Sequence, residues 1–245
     1  MSGEIDASLR VLPDPAEAMD GAAASAADVL IRELGHTDYE ATWRAMQAFT
    51  TARTAATRDE IWLTEHDPVY TLGLAGRREH LLRDNGIPAI KVDRGGQVTY
   101  HGPGQLVVYL LFDLKRRRLG IREMVRGIED SVIDWLAAFG IAAYGKHEAP
   151  GVYVRRGGAE AKIAALGLRV RNGCTYHGLA VNVAMDLAPF ADIDPCGYKG
   201  LAVTQLADFG VVRSPREAGA ALAPILAARL GKSGVRPDFP SAACR

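Results

Sequence analysis

The ten residues QLVVYLLFDL, 105–114, constrain this chain more than any other stretch. They form a nearly unbroken apolar run with two β-branched valines, far too short to cross a bilayer. A strand that shows no alternation of polar and apolar side chains is buried on both faces. The chain must therefore supply a layer above and a layer below it. One layer is visible at once. Ile121, Met124, Val125, Ile128, Val132, Trp135, Leu136 and Phe139 recur every three or four residues, the spacing of a helix with one apolar face, and Gly140 follows as a stop.

The remaining elements fit around that pair. A helix is predicted from about Asp38 to Ala56, with Trp43, Met46, Gln47 and Phe49 near one face. EIWLTEHDPVYTLG reads as a strand entering a turn at Asp67-Pro68, and GIPAIKVDR as another strand. After the 121–139 helix come three strand-like segments, GVYVR, KIAALGLRV and YHGLAVNV. A last helix opens at Ser214, with Pro215 in its first turn and Glu217 placed for a capping box, and runs to about Leu230. Residues 1–27 read as a mobile arm, 28–231 as one domain and 232–245 as a tail. The fold class expected is α+β (mixed α/β) in one domain.

Composition narrows the function classes. Lysine plus arginine and aspartate plus glutamate both number 29, so no global nucleic-acid signature exists. Three cysteines, at 174, 196 and 244, do not make a disulfide framework, and the N-terminus has no basic-then-apolar order. The expected compartment is the cytoplasm. Charge is uneven, however: residues 70–126 hold eleven basic side chains against five acidic ones. KRRR at 115–118 reads either as a solvated loop or as part of a surface that steers an acidic partner.

Chemistry-bearing residues lie in four places. RGGQVTYHGPGQ, Arg94 to Gln105, is neither a Walker loop nor a dinucleotide fingerprint; its glycines let backbone N–H groups approach a ligand. Lys162 begins an otherwise apolar strand. His177 and Asn182 alternate along YHGLAVNV, and Cys174 lies three residues before His177. That pair lacks a second pair to complete a zinc site, so no metal is expected. Cys196 stands in DPCGYKG, where Pro195 and Gly197 make turn chemistry. A thiol with a pKa near 8.5 is only a few per cent thiolate at neutral pH and needs a cation or base beside it. Lysine and histidine both serve, so Cys196 with Lys162, with His101, or with His177 and Asn182 all remain open at this level.

Six segments in order, EHDPVYTLG (65–73), RGGQVTYHGPGQLVVYLLFDL (94–114), GVYV (151–154), KIAALGLRV (162–170), YHGLAVNV (176–183) and DPCGYKG (194–200), resemble the lipoyl(octanoyl) transferases over roughly residues 35–210. The resemblance implies a biotin/lipoate protein ligase-like catalytic domain with a mixed β-sheet and flanking helices. It implies transfer of octanoyl from acyl carrier protein to a specific lysine of lipoyl domains, those of 2-oxoacid dehydrogenase E2 subunits and glycine cleavage H protein. Cys196 then looks like the acyl-accepting nucleophile and Lys162 like the residue that lowers its pKa. The implied pocket comprises Arg94, Gly95, Gly96, Gln97, Val98, Thr99, Tyr100 and His101, then Ala165, Leu166 and Gly167, then Gly178, Leu179 and Ala180. Ala165 stands where many members carry serine, so a hydroxyl contact there is discounted.

The implied route needs no ATP, metal or other cofactor, because a thioester exchanges with a thiol at similar energy and an amide is more stable than either. The acyl group arrives on the phosphopantetheine of the carrier. His101 and His177 are expected as walls or supports, and a monomer suffices for two transient partners. Three rivals stand beside this reading: an ATP-dependent lipoate or biotin-type ligase of the same fold, a cysteine hydrolase, and a non-catalytic acyl-carrier-binding protein.

Overall fold

The computed structural model describes residues 29–194 and 202–231, so the expected arm, the expected tail and Cys196 lie outside the described residues. Among the described residues, strands β1 (Val29–His36), β2 (Asp59–Glu65), β6 (Gln105–Leu111), β7 (Ala143–Gly145), β8 (Gly151–Arg156), β9 (Ala159–Arg171) and β10 (Cys174–Asn182) form one sheet. Its order is β1-β2-β6-β10-β9-β8-β7. β1 and β2 run parallel and every other neighbouring pair antiparallel. A smaller sheet, β4-β3-β5, is made by β3 (Val69–Leu72), β4 (Ala89–Lys91) and β5 (Val98–His101).

β6 is buried at every residue, as its composition requires, and its parity divides the interior. Leu106, Val108 and Leu110 join Leu179, Val181 and the apolar faces of α3 (Ile121–Ala137) and α4 (Pro215–Leu230). Val107, Tyr109 and Leu111 point the other way, toward Met46 of α1 (Tyr39–Ala52), Trp62 and Tyr176. The α+β class, with helices on both faces of a mixed sheet, is what the sequence led us to expect. α4 starts as read: the Ser214 hydroxyl accepts the Glu217 N–H at 3.2 Å, and the Glu217 carboxylate accepts the Ser214 N–H at 2.7 Å.

Three local expectations need correction. α1 ends at Ala52 rather than near Ala56. Arg53 leaves the helix because its guanidinium donates to Asp59 Oδ1 at 2.5 Å and to the Leu111 carbonyl at 3.0 Å. The KRRR stretch is solvated only in part: residues Leu114–Arg117 form a one-turn helix, α2, capped by Asp113, and of the four basic residues only Arg117 is buried. Arg116 and Arg117 both donate to Asp59, at 2.6 and 2.7 Å, and Arg117 is buried. A fully buried carboxylate thus receives three guanidinium groups and welds the end of α1 to β2 and α2. Finally, β1 was not foreseen, because VLIRELGH carries charges on both parities and lies at the sheet edge.

Candidate active site

The chemistry of the site starts with an irregularity. β8 and β9 pair Gly151 with Ala165 and Val152 with Ala164, but then Tyr153 with Lys162, so Ile163 is an extra residue in β9. Such a bulge bends its strand and re-aims the neighbouring side chain. β10 pairs with β9 only as far as Ala164. Beyond that point the neighbour of β9 changes. Lys162 N–H donates to the Ala202 carbonyl at 2.9 Å and Thr204 N–H to the Lys162 carbonyl at 3.0 Å, a parallel bridge centred on Val203.

Lys162 is 5% exposed, which is rare for a lysine and calls for compensation. Its Nζ lies 5.0 Å from the centre of the Tyr153 ring, an arrangement that favours the ammonium. Tyr153 is itself fixed, its hydroxyl donating to the Ala149 carbonyl at 2.8 Å.

Lys162 opens onto a mainly apolar cleft. A concave, mainly apolar lining with a few polar groups suits an organic ligand. The cleft brings together most of the residues singled out in the sequence: Arg94, Gly96, Gln97, Val98, Thr99 and His101 from the glycine-rich segment, Ala165, Leu166 and Gly167 from β9, and Gly178, Leu179 and Ala180 from β10. Two are placed elsewhere. Gly95 faces an adjoining groove and donates its N–H to the Leu168 carbonyl at 2.8 Å. Tyr100 packs between Tyr70 and Phe190, with its hydroxyl against Gly102. Sequence reading did not pick out Tyr39, Tyr109, Phe190 or Val203, which also line the cleft. They come from four separate elements, and only the tertiary fold assembles them.

Gly178 has a packing reason. A Cβ there would lie 1.9 Å from the Val108 carbonyl oxygen, so only glycine lets β10 and β6 approach this closely at the cleft floor.

Arg94 is buried and committed to the protein itself. Its guanidinium donates to the Thr71 carbonyl at 2.6 Å, to Thr71 Oγ1 at 2.8 Å and to the Gly95 carbonyl at 2.9 Å. It therefore acts as a brace for the glycine-rich segment. From Thr71 a chain of hydrogen bonds crosses the cleft floor. Thr71 Oγ1 meets His101 Nε2 at 3.3 Å, and His101 Nδ1 meets Gln105 Oε1 at 2.7 Å. The amide oxygen of Gln105 assigns the proton to Nδ1. Gln105 Nε2 then donates to Asn182 Oδ1, and Asn182 Nδ2 to the Thr204 carbonyl, both at 3.0 Å. Thr204 is the residue bonded to Lys162.

The histidines are supports. Burial, aided by neighbouring His66, pushes His101 down to about 3, so it stays neutral with both nitrogens engaged. His177 holds a left-handed backbone, φ 60°, in a buried strand, and its Nε2 donates to Asp93 Oδ1 at 2.8 Å. Burial alone would raise the Asp93 carboxyl. Hydrogen bonds from His177, Tyr176 and Trp43 outweigh it and hold the group well below the usual carboxylate range. Asn182 accepts from Gln105 with its amide oxygen and donates to the Thr204 carbonyl with its amide nitrogen, so its side chain is taken up by the protein itself. Cys174 is buried, and burial raises its thiol, as expected of a small apolar filler. Among the described residues no cluster of three histidine, cysteine or carboxylate side chains suits a metal. No helix of the described residues is long and apolar enough to cross a membrane.

Known proteins resemble this chain in sequence and in fold. The family model described as lipoyl protein ligase A/B catalytic domain matches residues 38–223. The octanoyltransferase of Dechloromonas aromatica is 59% identical over 201 residues, covering 82% of this chain and 96% of that protein. The octanoyltransferase of Laribacter hongkongensis is 60% identical over 202 residues, with coverages of 82% and 96%. Among solved structures, a bipartite lipoate protein ligase of Thermoplasma acidophilum superimposes with a TM-score of 0.66 at 20% identity, over 83% of this chain and 84% of that one. A lipoate-protein ligase A bound with ATP gives 0.61 at 18% identity, over 82% and 84%. At such identities the two structures speak for the fold alone.

Proposed function

The chain belongs to the lipoyl protein ligase A/B catalytic-domain family, with octanoyltransferases as its curated relatives, and from that premise we propose a two-step acyl transfer through Cys196 and Lys162. The enzyme is an acyltransferase of lipoate biosynthesis. Its donor on this reading is octanoyl-acyl carrier protein, and its acceptor is a specific lysine of lipoyl domains such as those of 2-oxoacid dehydrogenase E2 subunits and the H protein. Its compartment is the cytoplasm, and no ATP, metal or other cofactor takes part.

In the first step the Cys196 thiolate attacks the octanoyl carbonyl, the C–S bond to the carrier breaks, and the carrier leaves as its thiol with the proton that the Lys162 ammonium gives up, which leaves Lys162 neutral. The Lys162 ammonium favours the thiolate; a two-unit fall in thiol pKa corresponds to about 2.7 kcal/mol. In the second step the acceptor lysine, as free amine, attacks the Cys196 thioester. Its N–H proton passes to neutral Lys162, the amide forms and Cys196 leaves as thiolate. Splitting the transfer lets one protein depart before the other docks, which predicts ping-pong kinetics. The apolar cleft receives the eight-carbon chain.

One observation carries this reading. The Lys162 side chain is buried at the cleft, and its own backbone bridges residues 202–204, which directly follow the segment bearing Cys196. The test is intact-protein mass spectrometry after mixing enzyme with octanoyl-acyl carrier protein and no ATP. One hydroxylamine-labile octanoyl adduct is expected on wild type, none on Cys196→Ser, and slow loading of Lys162→Ala. No adduct without ATP, but transfer from free octanoate once ATP is added, would move the protein to the ligase class. Free octanoate as main product would make it a hydrolase.

A further inference from the structure

Glu129 is a buried carboxylate that the mechanism above does not use. It sits mid-way along α3, 9% exposed, on the face turned to the sheet. Its Oε1 accepts the Gly151 N–H at 2.8 Å. A Cβ on Gly145 would lie 3.0 Å from its Oε2, so the carboxylate occupies a slot between glycines of β7 and β8. Gly151 is the other wall of that slot, and on it rests Lys162: a Cβ at Gly151 would lie 3.1 Å from Lys162 Cε and 3.3 Å from Nζ. Gly151 also has φ +143°, which disfavours any side chain. The helix carboxylate, the glycine backbone and the lysine ammonium are thus stacked in sequence.

We propose that Glu129 is a positioning residue for acyl transfer, fixing the Gly151 backbone against which the Lys162 side chain rests and supplying the negative charge that faces its ammonium. The inference rests on the assignment of Lys162 as the group that serves Cys196. Burial pushes the Glu129 carboxyl up, while the Gly151 N–H and the charges of Arg126 and Lys162 oppose that. The other charged and titratable groups around the pair are accounted for elsewhere. Asp130, beside Glu129, lies 3.8 Å from Arg229 of α4. Tyr153 of β8 presents its ring to Lys162, and Lys146 covers the same ring at 4.6 Å while pairing with Glu160. Glu129 is thereby the carboxylate that contacts the backbone on which Lys162 rests.

A glutamine at 129 keeps the acceptor for Gly151 and removes the charge. Loading of Cys196 needs thiolate and ammonium together, so its rate traces a bell in pH. Loss of a nearby negative charge favours the thiolate and disfavours the ammonium, which moves both limbs to lower pH. In Glu129→Gln the whole bell is expected to shift down by at least about half a unit, as nearby charges commonly cause, at an unchanged urea midpoint. Glu129→Asp keeps the charge but draws it back from Gly151; it should keep the limbs in place and lower the maximum. Limbs unmoved in a folded glutamine variant would overturn the proposal, as would an aspartate variant with an unchanged maximum if the glutamine variant does not fold. Lys162→Ala is measured alongside. If it loads as fast as wild type, the assignment of Lys162 fails and this inference with it; if it is slow while Glu129→Gln leaves the bell in place, only the role of Glu129 is lost.

Discussion

Tyr153 and Lys162 face each other across the β8–β9 ladder, beside the bulge at Ile163, with the lysine nitrogen 5.0 Å from the ring centre. The ring replaces part of the hydration that a buried ammonium gives up. A desolvated cation–π contact contributes about 1–2 kcal/mol. Tyr153→Leu should therefore slow acyl loading by roughly five- to thirty-fold, whereas Tyr153→Phe, which keeps the ring, should stay within about threefold. Rapid-quench loading rates decide it; equal losses in both variants would assign the effect to the hydroxyl and its bond to Ala149.

His101 makes stability depend on pH. The unfolded chain protonates this imidazole near 6.5, but the folded chain resists until about 3. Between those values the unfolded state binds more protons, so stability is fully present above about 6.5 and falls as pH drops toward 3. Burial lowers His66 and His177 in the same direction, and their loss adds to it. Asp93, held below its ordinary value, contributes only under about pH 4. Urea midpoints measured from pH 7 to 4.5 should fall, and His101→Gln should lessen the slope by about one proton, or about 1.4 kcal/mol per pH unit. Identical slopes would show that His101 is charged in the native state.

Asp59 is where electrostatics and folding meet. Removing it as Asp59→Ala leaves Arg53 and Arg117 buried without their counter-ion, and breaking a buried pair this way costs about 3–5 kcal/mol. The urea midpoint should drop accordingly, with no effect on loading in whatever fraction remains folded. The same geometry limits any charge-reversal test of carrier docking. Reversal at Arg117 would report folding, so exposed Arg77, Arg78 and Arg118 are the informative positions.

Ala180 lies on the cleft wall beside Tyr109 and Gly178, nearly fully buried. Ala180→Leu fills space that the reading above gives to the acyl chain. Octanoyl should lose about tenfold or more relative to butanoyl as thioester donor, since each methylene in a tight apolar pocket is worth about 1–3 kcal/mol. A ratio that does not move would place the chain elsewhere.

The sequence made the layers readable because burial leaves a one-dimensional pattern: β6 is an unbroken apolar run, and α3 repeats its apolar residues every three or four positions. The capping box of α4 is equally local. Asp59 was opaque for the opposite reason. Its partners sit at 53, 116 and 117, and nothing in their spacing says that three guanidinium groups converge on one carboxylate. KIAALGL shows no turn residue at the bulge, so the re-aiming of Lys162 is legible only from the register between β8 and β9. Tyr100 and Gly95 read as pocket residues because they stand inside the glycine-rich segment; the chain turns each of them away from the cleft. Glu129 has no motif at all. Its relation to Lys162 arises when a helix drops one side chain between two glycines of other strands.

The parallel bridge between Lys162 and Val203 is a non-local contact. Antiparallel neighbours such as β8 and β9 close by short turns, whereas a parallel contact between distant residues must wait until the chain between them has been placed. Between Lys162 and Val203 the chain completes β9, pairs β10 with β6 and β9, and returns past Phe190. The bridge closes across about forty residues, so residues 202–204 reach Lys162 through tertiary closure and not through a local turn.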